Sequence, residues 1–322
     1  MGTFRRSLQT SRRSCTSQMW NPLQAQWGPC AAAFDYLRSD TLVMNGPTTP
    51  VKTGTSPDIS VSGTCSVPGP FRLEILSNGD RGVATARITG NAEDAVPVWT
   101  TFMTDTSVVF FGLTISFGAG TYSTDTYWTW GGSITTWNDF SGNGRNVTQG
   151  NPTLRPVYSK TNGLNMLTTR WLQSAAFTNV DGPFTVYAAI NTAVVIANRG
   201  VISLSNLATV GPPRLFRNQN DFILTTDNNT NAVIEIVLNG KVTCGFIANG
   251  LGSAIIKQGA LYNGRGTLTS AASVMNQICV GALTGLYPID GYIYGVYVYQ
   301  GAHSAATVRR YVQGLNRYYS IT

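Results

Sequence analysis

The sequence predicts an all-β protein, two sandwich-like parts behind an N-terminal arm, closed by one helix at the C-terminus. Three observations lead there. Only 11% of the 322 residues are charged while 43% are hydrophobic, a charged share under half of the roughly 25% usual in globular chains. With 34 glycines, that mix suits strands and turns better than charged helices. Short runs of alternating apolar and polar residues recur from about residue 57 onward, the period of half-buried strands. One stretch has helical spacing: Val308, Tyr311, Val312, Leu315 and Tyr318 share a face behind Ser304, a plausible N-cap.

Residues 1–56 read as a basic arm. The net charge is +7. Arg5, Arg6, Arg12 and Arg13 supply +4 of it, with no acid in the first 14 residues, leaving +3 for the other 308. Prolines 22, 29, 47 and 50 interrupt the segment, and no period persists. A helical turn or two around Ala31–Leu37 is the most local structure expected. The four arginines suit an acidic protein surface or phosphates, against a solvated tail as the plain alternative. No apolar run follows the first arginines, so a leaderless chain is expected. No stretch of about 18 apolar residues is present to span a membrane as a helix.

Residues 57–130 read as a small β-sandwich or barrel. Ile59–Gly63 and Phe71–Leu76 alternate, and Ser77-Asn78-Gly79-Asp80 turns the chain into Val83–Ile88, a hairpin with a loop of several residues. Thr106–Phe117 is a strand or strand pair, and Gly118-Ala119-Gly120 turns it. Residues 131–322 read as a larger two-sheet sandwich. Phe184–Ile190, Val233–Leu238 and Tyr292–Tyr299 are its best strands, with turn signals between them.

Five cysteines, at 15, 30, 65, 244 and 279, form no C-x-x-C pair, so reduced, buried thiols are expected. The single histidine, His303, excludes a multi-histidine metal centre and would be the sole base of any triad. Its place just before the helix reads as surface.

One string is unusual: Trp137-Asn138-Asp139-Phe140-Ser141-Gly142-Asn143-Gly144-Arg145-Asn146-Val147-Thr148-Gln149, then Leu154-Arg155-Pro156-Val157-Tyr158. Gly142 and Gly144 supply positive φ in a tight loop. Asp139 accepts backbone N–H groups, Trp137 plugs the loop into the core, Arg155 pairs with Asp139, and Pro156 sets the next strand's entry. Turn chemistry explains every position, so the loop reads as structural ahead of ligand binding.

The string resembles the opening of concanavalin A-like, laminin-G-type jelly-roll domains, W-x-D-x-S-G-N-G-x-x-x-x-Q followed by R-P-x-Y. Gly182–Tyr187 is similar to that family's p-F-T-v strand. Ile289–Tyr299 is similar to its penultimate strand, and Leu315–Tyr319 to its terminal helix. The resemblance covers about 190 residues and implies a jelly-roll sandwich over 131–322; it implies little about function. Gly295 stands where the family carries Glu. The segment Leu167–Leu172 lacks the two acids of the family's F-D-G-x-x-D-Y-L, so a calcium ion has no support there and no cofactor is expected. Residues 78–87 and 112–122 resemble β-modules of tailed-bacteriophage virion proteins. Basic arm, small β-module and lectin-like module in that order imply a phage structural protein, made in the host cytoplasm and working on the virion.

The alternatives are a tail-associated glycan-degrading enzyme and a bacterial lectin. Glycoside hydrolysis needs two carboxylates about 5–9.5 Å apart. The E-x-D-x-E pattern is absent, Asp139, Asp181, Asp221, Asp227, Glu235 and Asp290 are scattered, and no G-x-S-x-G or P-loop is present. A non-enzymatic role is therefore expected: capsid decoration, head fibre or tail adhesin, docked through its arm on other virion proteins. Host glycan is the outward partner considered, with Trp171, Asp227, Asn228, Asn229 and Asn231 as contacts. Homo-oligomerisation is expected, and nucleic-acid binding and membrane insertion are not.

Overall fold

The structure, a computed structural model, describes residues 30–37, 42–47, 49–63, 71–90, 98–105, 107–110, 112–159, 162–166, 169–192, 199–204, 214–218, 221–225, 231–235, 240–249, 252–262, 274–283 and 288–322. The four arm arginines Arg5, Arg6, Arg12 and Arg13 and the polar residues Asp227, Asn228 and Asn229 lie outside them.

The chain is all-β with one α-helix at its C-terminus. The small module is built on two larger antiparallel sheets, with Gly79–Asp80 and Thr121–Tyr122 forming a third, two-stranded one. One has five strands in the order Val51–Thr53, Tyr127–Trp130, Phe71–Ile75, Thr85–Gly90, Val98–Met103; the other sets Leu113–Phe117 between Ile59–Gly63 and Ser107–Phe110. The alternation that marked these strands is physical. Phe71, Leu73 and Ile75 are buried while Arg72 is exposed and Glu74 half-buried, and Leu113, Ile115 and Phe117 point into the same core.

The larger part is two antiparallel sheets that share the strand Gly132–Trp137 and close on each other. At the centre of one sheet, Phe184–Thr192 pairs with Gly291–Gln300 on one side and Gly240–Ala248 on the other. The second sheet runs from Leu42–Pro47 through Gly132–Trp137, Val147–Thr148, Leu172–Ser174 and Cys279–Val280 to Arg199–Ser203, then out to Arg214–Asn218, Asp221–Thr225 and Asn231–Glu235. The central strands are buried nearly end to end because both faces are covered, one by the opposite sheet and one by the helix Ala305–Tyr318.

That helix begins where Ser304 accepts the Thr307 N–H, and it buries Val308, Tyr311, Val312 and Leu315. Its apolar stripe lies on a tyrosine-rich face of the sheet. Tyr311 stacks on Tyr187 with ring centroids 5.1 Å apart, and Tyr319 lies 5.9 Å from both Tyr36 and Tyr294. Asp35, fully buried, accepts hydrogen bonds from the hydroxyls of Tyr318 (2.6 Å) and Tyr319 (3.0 Å). The helix is therefore attached to the first strand by a carboxylate as well as by apolar contact.

Two expectations are corrected. Residues 30–56 are not arm. Cys30–Asp35 is a strand paired with Gly291–Gln300, Leu42–Pro47 pairs with Gly132–Trp137, and Val51–Thr53 pairs with Tyr127–Thr129. Ala31–Phe34 form strand where a helical turn was expected. All six residues of Cys30–Asp35 are buried, and a strand covered on both faces shows no alternation for a sequence reading to detect. His303 is half-buried rather than on the surface. Its Nδ1 lies 2.8 Å from the Tyr187 hydroxyl, and its ring packs against Tyr187, Tyr299 and Tyr311. The turn after the strand folds back because the His303 N–H donates to Thr185 Oγ1, whose hydroxyl donates to Gly301 O.

Gly295 has a steric cause. A Cβ there would lie 2.1 Å from Tyr319 Oη and 3.0 Å from Tyr297 Oη, so no side chain fits without breaking the hydroxyl contact between those two tyrosines. Gly295→Ala is expected to cost about 2–3 kcal/mol by overpacking, seen as a lowered melting temperature. A melt like that of the unaltered protein would show that the helix end yields freely. The three cysteines among the described residues are buried. Burial, with Asp139 nearby, pushes the Cys30 thiol up to about 12, so it is an inert packing group.

Candidate functional site

The loop Trp137–Asn146 is built around Asp139. Its Oδ1 accepts the N–H groups of Ala33 and Ser141, each at 2.9 Å; its Oδ2 accepts the Ser141 hydroxyl (2.8 Å) and the Arg145 N–H (3.1 Å). Both oxygens are thus occupied by donors of the loop and of the first strand. Gly142 and Gly144 hold φ of 91° and 67°, backbone that disfavours any residue with a Cβ. Trp137 is fully buried, its ring 5.6 Å from Phe34, and its indole N–H points to Asp35 O.

The loop also grips the first strand along its edge. Asn143 Nδ2 donates to Cys30 O and Ala31 O, Arg145 Nη1 donates to Ala31 O at 2.6 Å, and Phe140 N–H donates to Ala33 O. The string singled out in the sequence is therefore a clamp on Cys30–Asp35, a partner more than 100 residues away that the sequence did not reveal.

The rest of the string is placed as follows. Gln149 is buried, donating to Trp171 O and accepting from Asn151 N–H. Arg155 bonds the carbonyls of Gln149 and Gly150, at 3.0 and 2.8 Å, where pairing with Asp139 was expected; the donors that fill Asp139 come instead from Ala33, Ser141 and Arg145. Pro156 O accepts the Ile134 N–H, and buried Tyr158 faces Tyr36 at 6.3 Å. Trp171 is half-buried against this corner, its N–H donated to Leu154 O. Asn231 opens a strand opposite Thr225.

Beside the clamp lies a cleft of about 490 Å³, open to solvent, between residues 143–146 and 174–180. Its lining residues include Asn143, Asn146 and Asn179, Thr178, Phe177 and Arg145; Ser174 also lines it but is buried, its hydroxyl donating to Ala175 O and accepting the Ile278 N–H. The clamp consumes part of this polarity. Asn143 spends its amide N–H groups on the first strand and on Ser141 Oγ, and Asn146 Oδ1 accepts the Asp139 N–H. An acceptor on Asn143 and a donor on Asn146 are left over among the described residues. Arg145 lies over the Phe177 ring, its Cζ 4.8 Å from the centroid. Burial draws the Arg145 pKa downward, and Asp139 opposes that shift. Trp171 is not part of the lining. Phe177 and Asn179, which are, carry no motif that a sequence reading could use.

Among the described residues, no group of three or more His, Cys, Asp or Glu is placed to hold a metal. No helix among them is long and apolar enough to cross a membrane.

No known protein family and no curated protein sequence matches this chain. Solved structures share its β-rich shape at low identity. A sialidase of Trypanosoma rangeli matches at 10% identity and a TM-score of 0.39, over 56% of this chain and 31% of that one. The ligand binding domain of botulinum neurotoxin serotype D, in complex with N-acetylneuraminic acid, matches at 13% and 0.41, over 56% and 48%. Domain 4 of an extracellular arabinanase from Geobacillus stearothermophilus, in complex with arabinotriose, matches at 11% and 0.41, over 55% and 92%. The chain thus spans about a third of the sialidase's length and about half of the toxin domain's. These are likenesses of fold.

Proposed function

We propose that the chain is a non-enzymatic glycan-contacting protein and that the cleft between residues 143–146 and 174–180 is its sugar site. The observation that carries this reading is the lining itself. A saccharide presents hydroxyls that both donate and accept, and a ring face of C–H groups. Amides, hydroxyls and an aromatic ring in one open cleft answer both. Glycoside hydrolysis would need a pair of carboxylates. Among the described residues the lining holds none, and Asp139, in the adjoining loop, has both oxygens filled.

The wider setting belongs to the same reading: a virion structural protein of a tailed bacteriophage, docked through the segment bearing Arg5, Arg6, Arg12 and Arg13, with the sandwich outward toward host glycan. The sequence order of arm, small β-module and sandwich supports it.

Phe177→Ala removes the ring and its contact with the Arg145 guanidinium while leaving the hydrogen bonds of the clamp in place. It is expected to weaken binding to glycans identified on an array by about tenfold and to leave the melting temperature within about 2 °C. Binding unchanged in Phe177→Ala would move the sugar site elsewhere. For the wider setting, the chain is expected in purified particles of its source and lost from them when residues 1–29 are removed. Retention of the truncated chain would count against arm docking.

A further inference from the structure

The cleft's one charged lining residue says more about the ligand than its neutral ones do. Among the described lining residues Arg145 is the only ionisable one. Among the described residues its guanidinium makes one hydrogen bond, Nη1 to Ala31 O at 2.6 Å. One face is held by the Phe177 ring at 4.8 Å. A guanidinium has five donors in a planar fork, so this one is held at one corner and along one face and keeps unused N–H groups. Its conformational freedom is already spent, which lowers the entropy lost on forming a two-point contact.

The electrostatic surroundings agree. Asp139, in the clamp rather than in the cleft lining, has each oxygen accepting two donors. Asp181 follows the lining segment, is exposed, and lies outside the lining. Asp139 acts on Arg145 from the clamp side, and among the described lining residues no carboxylate faces it across the cleft, so this partly desolvated cation gains more from a ligand anion than a solvated surface arginine would.

We infer that this cleft takes an acidic saccharide, and that Arg145 receives the sugar's carboxylate side-on while Phe177 and the asparagine amides hold the ring and its hydroxyls. This rests on the glycan reading above and narrows it to one chemical class.

The test begins with the full-length protein on an array holding uronic-acid, sialic-acid and neutral oligosaccharides, followed by titration calorimetry with the best acidic probe, its carboxyl methyl ester, and a neutral oligosaccharide of the same length. Acidic probes are expected to bind. The ester and the Arg145→Gln variant are each expected to lose about tenfold or more in affinity, and Arg145→Lys to recover only part of it. The ester comparison uses the unaltered protein, so it decides the matter even where a substitution at Arg145 disturbs the Ala31 contact. If neutral saccharides bind as tightly as acidic ones, and the ester as tightly as the acid, the acidic assignment is overturned while the glycan reading stands. If no saccharide of either kind binds, both are overturned.

Discussion

Asp139→Ala is expected to destabilise the protein by about 3–5 kcal/mol and to abolish ligand binding in the cleft. The substitution removes one side chain but strands four donors: the N–H groups of Ala33, Ser141 and Arg145 and the Ser141 hydroxyl. Each buried donor left without an acceptor costs about 1–3 kcal/mol. The loop is partly open to solvent, so water takes over some of them and the sum is not reached. For a chain this size the loss lowers the melting temperature by roughly 10 °C. The functional loss has a separate cause. Asp139 sets the backbone at Arg145 and, through its own N–H, the Asn146 amide, so without it two lining groups lose their positions. Asp139→Asn keeps the shape but turns an N–H toward a donor, and should fall between. A thermal shift of less than about 2 °C for Asp139→Ala would show that shape complementarity, not the carboxylate, holds the clamp.

The second large effect is collapse in alkali. Tyr297, Tyr299 and Tyr319 lie between the sheet and the helix, and burial pushes their hydroxyls well above the ordinary tyrosine range. Asp35 adds to the rise for Tyr297 and Tyr319 because its negative charge opposes a second one nearby; Cys30 does so for Tyr299. These groups are neutral in both states below about pH 10, so they contribute no pH dependence there. Above it the unfolded chain releases protons that the folded chain retains, the unfolded state binds fewer, and stability falls as pH rises. At about 1.4 kcal/mol per pH unit per group, these three alone give about 4 kcal/mol per unit, enough to unfold a typical domain within two units, and burial raises Tyr36, Tyr187 and Tyr311 in the same direction. Tyrosinate absorbance and circular dichroism followed together should show ionisation of these residues coincident with loss of sheet signal. Titration of all 14 tyrosines near pH 10 with the sheet signal intact would contradict the buried layer. Tyr299→Phe should make the fall less steep by about 1.4 kcal/mol per pH unit.

The two effects mark different depths of legibility. The Asp139 loop could be read locally. Its glycines at positive φ, its carboxylate accepting neighbouring N–H groups and its tryptophan anchor all follow from residue types within ten positions. What could not be read was the partner. Three alanines and a cysteine look like weak helix or aperiodic arm, and only the sheet shows that Cys30–Asp35 is a strand covered on both sides. The Arg155 side chain met carbonyls rather than Asp139 for the same reason. The first strand arrives with its own donor at Ala33, a competitor that no local reading contains.

The all-β class, the hairpin of Phe71–Ile75 with Thr85–Gly90, and the C-terminal helix with its Ser304 cap were determined by the sequence itself. Each depends on periodicity or on a turn or cap formed by neighbours in the chain. The fully buried strand, the steric need for Gly295, the aromatic setting of His303 and the cleft that joins Arg145 to Phe177 were decided only by tertiary structure. Each depends on groups brought together from separate strands, loops and the helix, and proximity across a sandwich leaves no period in the chain that encodes it.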